Sequence, residues 1–594
     1  MSLGLFRSAL LASAVSLAAT LPRTASAQGT ASSSGQDSGS RLGSIEKQIQ
    51  ALQAELRHMK GEMAQRNREL KTARGQTYVG TTPPVSQLTP IMPQIPAGYA
   101  LVPASPGSAP GSVVLARAEP PPPKLSKGTF RVGAVDVTLG GFVEAASVYR
   151  SRNTVSDIAT PFNTIPFRYS QLYHESEFHE SARQSRLSAA LEAHPDEVTK
   201  LQALFVTDFL GAGPASNYNE SNSWLPRVRE AFATYARSDW GFQFLGGQTW
   251  TLLTMNKVGV DPYKMNLPLM IDPQYVVGFN WARQAQVRIS KSFGRGQYWL
   301  AASIENPSGV YANTAIPAAL GTLNVSNPGV GVDATGSNSV TSVVTGVTTA
   351  GGKTTTTTTN VLTPGNIPAD IVPDVVVKGT ADFNLGHFEV YGVGRVFHDR
   401  LSQLGTGESN TRFGGGAGAA GLIHIVPKLL DVQISGLAGE GVGRYGTSQL
   451  PDATIGNRGQ PVALPEWQAL FGVVAHPAPV VDLYGYLGTE QVASRYFSAV
   501  NEGKLTGYGY GNPLYNNTGC NMELSLASTC TANTSGIVEG TVGAWYKFIQ
   551  GNYGTMQVGA SYSYVHRSVF QGVGPTPQTN DNLVFLSFRY YPFQ

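Results

Sequence analysis

The sequence predicts an all-β fold, a 16-stranded antiparallel transmembrane β-barrel preceded by a short N-terminal α-helical coiled coil. Three observations predict it. Apolar and polar residues alternate along many short segments after about residue 137. Those segments are joined by connections that are short and long in turn. The chain opens with an export signal and afterwards has no run of about 18 apolar residues that could span a membrane as a helix. An exported chain without a helical span can still cross a membrane as a closed barrel, which satisfies every backbone group internally.

Taken in chain order, residues 1–27 read as a signal peptide. Arg7 supplies the positive end, Ser8 to Leu21 the apolar stretch, and Ala25-Ser26-Ala27 the cleavage site. Residues 28–74 hold a Ser/Gly spacer and then a heptad seam over about 42–70. Leu42, Ile45, Ile49, Leu52, Leu56, Met59, Met63 and Leu70 recur at steps of three and four, with Arg66 in one apolar slot. Ile at both seam sites favours more than two helices, so a trimeric coil is expected. A single amphipathic helix is the competing reading. Residues 75–127 are rich in proline, including Pro120 to Pro123, and are expected to be an extended linker.

Residues 128–594 carry the barrel. Leu187 and Leu191 interleave with Arg186 and Glu192, Leu201 and Phe205 with Lys200 and Asp208, and Leu586 and Phe588 with Ser587 and Arg589. Each pattern has the two-residue period of a strand with lipid on one side and water on the other. Strands are expected at 387–397 and 416–425, among others, with turns such as Gly551-Asn552 at one end. At the other end come long loops at 151–182, 211–226, 253–280, 306–373, 398–415, 439–465, 491–537 and 567–581. Short turns on one side and long loops on the outer side are the habit of membrane barrels, whereas a soluble sandwich has no cause for such alternation. The run Thr354 to Thr359 marks the loop 306–373 as low-complexity and mobile. Cys520 and Cys530 are expected to form a disulfide in the loop 491–537, worth about 2–3 kcal/mol in the chain-entropy model. A two-thiol metal site is the alternative, and no histidine lies near either cysteine in the sequence.

Composition narrows the function. Lys and Arg number 42 against 39 for Asp and Glu, which gives no case for nucleic acid. Charged residues make up only 14% while Gly, Tyr and Phe are plentiful, which suits a barrel; a large secreted β-protein would share that composition. No nucleophile elbow, zinc-protease motif or phosphate loop is present, so neither an enzyme nor a cofactor is expected. A hydrolase built on the barrel would need a Ser/His pair on neighbouring strands, and none is evident.

In a diffusion channel, function resides in a lumen, its constriction and its field. The expected constriction is the loop Leu253 to Asn280, with Asp261, Tyr263, Lys264 and Asp272 as its polar residues and Pro262, Pro268 and Pro273 stiffening it. Its alternative is a lid on the outer rim. Alternation turns Arg186, Arg229, Arg288, Arg395, Arg589, Lys200 and Lys378 toward water, together with Glu144, Glu192, Asp208, Glu389, Asp482 and Glu539. A charge facing mid-depth lipid would cost about 2–4 kcal/mol. Arg186, Arg227, Arg229 and Arg288 lie on the second, fourth and sixth strands and form a basic wall, unless ion pairs with Glu192 and Asp208 neutralise it.

Five motifs carry a family resemblance: Arg227-Val-Arg-Glu-Ala-Phe232, Gly247-Gln-Thr-Trp250, Arg283-Gln-Ala-Gln-Val-Arg288, Glu305-Asn-Pro307 and Gly439-Glu-Gly-Val-Gly-Arg-Tyr445. In this order, over Leu139 to Phe593, the chain resembles the DcaP-like trimeric outer-membrane porins. The resemblance implies a sixteen-stranded barrel in a homotrimer, with the third loop folded into each pore. It implies passive uptake of small hydrophilic solutes, often anions such as carboxylates. It also places the barrel in the bacterial outer membrane among its lipids, with the coil in the periplasm. The aromatic last strand resembles the signal read by the barrel-assembly machinery, though Gln594 follows Phe593. The alternative function is a structural tether, in which the coil reaches the peptidoglycan of the cell wall and the barrel serves as anchor.

Overall fold

The structure, a computed structural model, describes residues 99–103, 113–117, 127–211, 224–312, 322–325, 339–350, 353–363, 370–403, 406–501 and 504–593. The expected signal peptide and coiled coil lie outside these residues. The chain divides into two compact units, 1–121 and 122–594. In the first, Tyr99–Pro103 pairs antiparallel with Val113–Arg117. The Val and Leu residues between the prolines of this segment have the β-propensity for such a ladder, so part of the expected linker is a hairpin.

The second unit is a closed barrel. Its wall strands are β1 (Val135–Arg150), β2 (Arg186–Ala193), β3 (Thr199–Asp208), β4 (Arg227–Arg237), β5 (Phe242–Trp250), β6 (Arg283–Phe293), β7 (Tyr298–Glu305) and β8 (Asp374–Phe383). They continue as β9 (Gly386–Gln403), β10 (Thr406–Val426), β11 (Leu430–Glu440), β12 (Pro465–Ala478), β13 (Val481–Val492), β14 (Thr534–Gly551), β15 (Gly554–Val569) and β16 (Gln578–Tyr591). Every neighbouring pair is antiparallel, and β16 closes on β1 with Arg589 opposite Glu144.

Alternation along the strands sorts side chains as the sequence suggested. On β16, Phe585 is fully buried inside while Leu586 is 54% exposed outside. Val143, Leu187, Phe205, Ile289, Leu300, Val377, Val390, Leu487 and Val542 continue the outward apolar band around the barrel. Soluble monomers rarely expose contiguous apolar patches beyond a few hundred Å², so a band encircling the wall marks a surface made for hydrocarbon. Among the described residues no helix is long and apolar enough to cross a membrane.

Two loops differ from expectation, and the disulfide of a third is as expected. The segment 398–415 is not a loop: β9 and β10 run on as a ladder from His398↔Thr411 to Gln403↔Thr406. Thr354 to Thr359 lies in a strand, Lys353–Thr363, paired with Ser339–Ala350. A run of β-branched threonine fits a pleated ribbon well, and compositional simplicity hid that propensity. Cys520 and Cys530 are bonded, with Cα atoms 4.6 Å apart.

Candidate functional site

The connection between β5 and β6, residues 251–282, enters the bore and crosses it. Its sequence explains why. Met265, Leu267, Leu269, Met270 and Ile271 are apolar and are spaced by prolines and polar residues, and the segment pairs with itself only through one antiparallel bridge, Asn256 with Met265. The inward faces of β12 to β14 offer Leu470, Tyr484, Tyr486 and Trp545, and the loop packs on them in one buried cluster. At about 25 cal/mol per Å² of apolar surface removed from water, such burial favours the inward position.

A backbone without secondary structure must still satisfy its N–H groups. Carboxylates on the wall do this. Glu305 of β7 accepts from the Leu252 N–H at 2.8 Å, and Glu389 of β9 from Asn256 at 2.8 Å. Asp382 of β8 accepts from Gly259 at 2.9 Å. Glu539 of β14 and Glu490 of β13 accept from Val277 and Gly278, each at 2.8 Å. Lys378 of β8 donates to Glu389, to the Thr254 carbonyl and to the Asn256 amide oxygen at 2.8, 2.8 and 3.2 Å. Glu389, Glu539 and Lys378 were expected to face water; they are buried against the loop instead. Gly488 makes the closest approach possible, since a Cβ there would stand 1.7 Å from the Val277 carbonyl oxygen.

The connection after β11, residues 441–464, also turns inward. Tyr445 and Val442 are fully buried. Its backbone meets the first loop where Trp281 N–H donates to the Tyr445 carbonyl at 2.8 Å and Gln274 donates to the Thr447 carbonyl at 2.9 Å. Arg395 of β9 holds this second loop by binding Asp452 at 2.7 Å and is itself anchored to Asp374 of β8 at 3.2 Å.

The expected site residues separate into three groups. Asp208 takes Arg227 through two bonds, at 3.0 and 2.9 Å, and Arg229 at 2.8 Å, and Arg229 also donates to the Tyr275 hydroxyl at 3.3 Å. Arg186 makes no ion pair among the described residues; it lies 5.2 Å from the Phe142 ring and lines a cavity of about 850 Å³ beneath the loop. These four, on β2, β3 and β4, form the basic wall. Glu144 and Arg395 sit in ion pairs instead, Glu144 with Arg589 at 2.9 Å. Arg288, only 3% exposed, is covered by the loop root and donates to the Trp250 carbonyl at 2.8 Å. It is not part of the cavity lining. On the loop, Asp261 lies 3.7 Å from Lys264 and Tyr263 packs 5.2 Å from Phe232, while Asp272 lines the cavity. The expected neutralisation is partial. Glu192 pairs with Lys200 at 3.0 Å, not with an arginine of the wall, and one carboxylate, Asp208, serves two arginines.

Two arginines were missed as site residues. Arg283 stands 4.9 and 5.0 Å from the rings of Trp250 and Trp281, and its Nη1 has no hydrogen-bond partner. Arg183 pairs with Asp157 and bonds to the Gly211 carbonyl. The two-residue period would have turned Arg283 outward with Val287 and Ile289, so only the turn of the chain into the loop at the start of β6 brings it to the site; nothing local marks Arg183, whose place is set by the loop 151–182.

The electrostatics of the loop agree with this count. Burial pushes the Tyr275 hydroxyl upward, yet Arg229, Arg283 and Arg186 outweigh it and hold the phenol below its ordinary value. Burial likewise raises the Asp272 carboxyl, partly opposed by bonds from Thr160 and Gln274, to about 6.

No family model matches the chain, and no curated protein matches it. Among solved structures, the outer membrane channel DcaP of Acinetobacter baumannii aligns with a TM-score of 0.50 at 14% identity, over 79% of this chain and all of that one. OmpT of Vibrio cholerae aligns at 0.38 and 10%, over 78% and 99%. An anion-selective porin from Comamonas acidovorans aligns at 0.37 and 8%, over 77% and 99%. The last two superpose too loosely to support an argument. The first meets the resemblance read from the motifs: this chain has the fold of the DcaP channel, a closed sixteen-stranded barrel.

Proposed function

We propose that the protein is an outer-membrane porin, a passive channel for small hydrophilic solutes with a preference for anions. One observation carries this reading: a loop folded across the bore presses against a wall where Arg183, Arg186, Arg227, Arg229 and Arg283 gather, with Asp157 and Asp208 as their ion-pair partners. Glu230 and Asp272 share the cavity beneath, and burial keeps a fraction of Asp272 protonated near pH 6. A narrow bore with low-dielectric walls focuses such a field and raises the local concentration of the opposite charge. Diffusion down a gradient needs no cofactor and no bond-breaking step. A homotrimer, with the N-terminal coil as its periplasmic clasp, goes with this reading.

The test is conductance of the purified protein in planar bilayers. Under a KCl gradient the reversal potential should report chloride crossing more readily than potassium. Replacing Arg186 and Arg283 together by Gln should move it toward the cation side. Trimers should insert with three equal steps. A reversal potential already at the potassium side in the native protein would refute the anion preference, and silent insertion would refute the channel.

A further inference from the structure

Two recesses lie on the long-loop side of the constriction, and together they are chemically lopsided. One, of about 290 Å³, is lined by Arg183, Arg227 and Arg283 against a single carboxylate, Asp157. The other, of about 370 Å³, is lined by Thr160, Asn163, Thr164, Thr447, Ser448 and Gln449 and by no charged side chain. Ser156, Ala159 and Gln274 belong to both linings, so the two recesses adjoin. Their combined size falls within the roughly 300–1,000 Å³ of small-molecule sites.

Two hydroxyls and one guanidinium nitrogen at the walls of these recesses have no well-formed hydrogen bond to the protein. Thr160 and Ser448 are 1% and 5% exposed, and neither hydroxyl makes a hydrogen bond in good geometry with the protein. Buried hydroxyls normally find partners, and an orphan costs free energy. Behind them stand Asp272, which receives the Thr160 N–H at 3.4 Å, and Glu490, which receives the Ser448 N–H at 3.0 Å. In the basic recess Arg227 and Arg183 already have carboxylate partners, whereas Arg283, beside the adjoining rings of Trp250 and Trp281, has an Nη1 without a hydrogen-bond partner.

Resting on the channel reading above, we infer that these recesses form one entry subsite for small polyhydroxy monocarboxylates, such as sugar acids. The carboxylate meets Arg283, and the hydroxyls of the carbon chain meet Thr160 and Ser448 across Gln274. A simple carboxylate fills only the basic half, and a neutral sugar only the hydroxyl half.

The experiment measures interruption of ion current by gluconate, acetate or glucose added on the long-loop side of bilayers holding the full-length protein. Gluconate should reach half-block at a concentration about tenfold or more below the other two, the worth of one or two added hydrogen bonds. T160V/S448A, run beside each single variant, should erase that advantage and leave acetate unchanged. R283Q should weaken gluconate and acetate alike. Gluconate blocking no better than acetate, or keeping its advantage in T160V/S448A, would overturn the subsite. If the inserted protein is silent, the channel reading is what fails. Tryptophan fluorescence in detergent, with Trp281 beside Arg283 as reporter, then decides the subsite with the same three solutes. The same ranking supports it and equal affinities overturn it.

Discussion

Lys378→Met removes the one cation among the described residues that ties the crossing loop to β8 and β9. Lys378 and Glu389 are both fully buried, and the ammonium serves the carboxylate, the Thr254 carbonyl and the Asn256 amide oxygen together. Removing one partner of a buried pair costs about 3–5 kcal/mol, because the other charge is left stranded. Glu389 keeps the Asn256 N–H and the His387 ring at 2.9 Å, so the lower end, about 3 kcal/mol, applies. That raises the population with a detached loop root by roughly a hundredfold, at about 1.4 kcal/mol per decade. Single-channel recordings should show frequent excursions to a larger conductance that native protein lacks. The double variant K378M/E389Q, which leaves no stranded charge, should recover much of the loss. Unchanged conductance and unchanged thermal stability in K378M would refute the claim that this ion pair holds the constriction.

Other consequences follow from single features. Gly488→Val should push the loop off β13, at a cost of about 1–3 kcal/mol or more for overpacking, and widen the pore, because a Cβ has no room beside the Val277 carbonyl. The Asp272 carboxyl rises from 3.8 to about 6 on burial, so the inward loop is least stable when this group must be ionised. The loop should therefore be held more firmly as pH falls from about 6 toward 4, and Asp272→Asn should be steadier than native protein at pH 7.5 and equal to it near pH 4. Reducing Cys520–Cys530 frees a loop that binds Tyr169 through two backbone bonds at 3.0 Å each. Protease cleavage between Asn516 and Thr531 should speed up after reduction while the barrel strands stay intact. Leu586→Arg, on the outward face, should cost about 2–4 kcal/mol at mid-depth, and refolding into lipid vesicles with a urea titration would measure it.

All sixteen strands of the wall were legible in the sequence, and so was the inward face of those that carry a charge or a clear alternation. Arg186 and Leu187 point opposite ways because successive residues on a strand must, whatever surrounds them. Prolines and apolar residues marked 251–282 as a folded loop, while its entry into the bore was implied by the family resemblance. The fate of the inward charges was not legible. Alternation says that Glu389, Glu539, Arg288 and Lys378 face inward, but not whether water or backbone awaits them there. The second inward loop, 441–464, passed as an outer loop, since its Gly-Val-Gly-Arg-Tyr run has no period.

The amino-acid order by itself thus determined the cylinder: a two-residue period is local, and lipid on one side enforces it residue by residue. Only the tertiary structure decided the contents of the cylinder. Carboxylates on β7, β8, β9, β13 and β14, far apart in the chain, come together around one loop only once β16 has closed on β1. The division of charge into clamps and open cations, with Glu490 holding Gly278 while the Arg283 Nη1 has no partner, arises from that closure and from the demand that buried backbone N–H groups find acceptors.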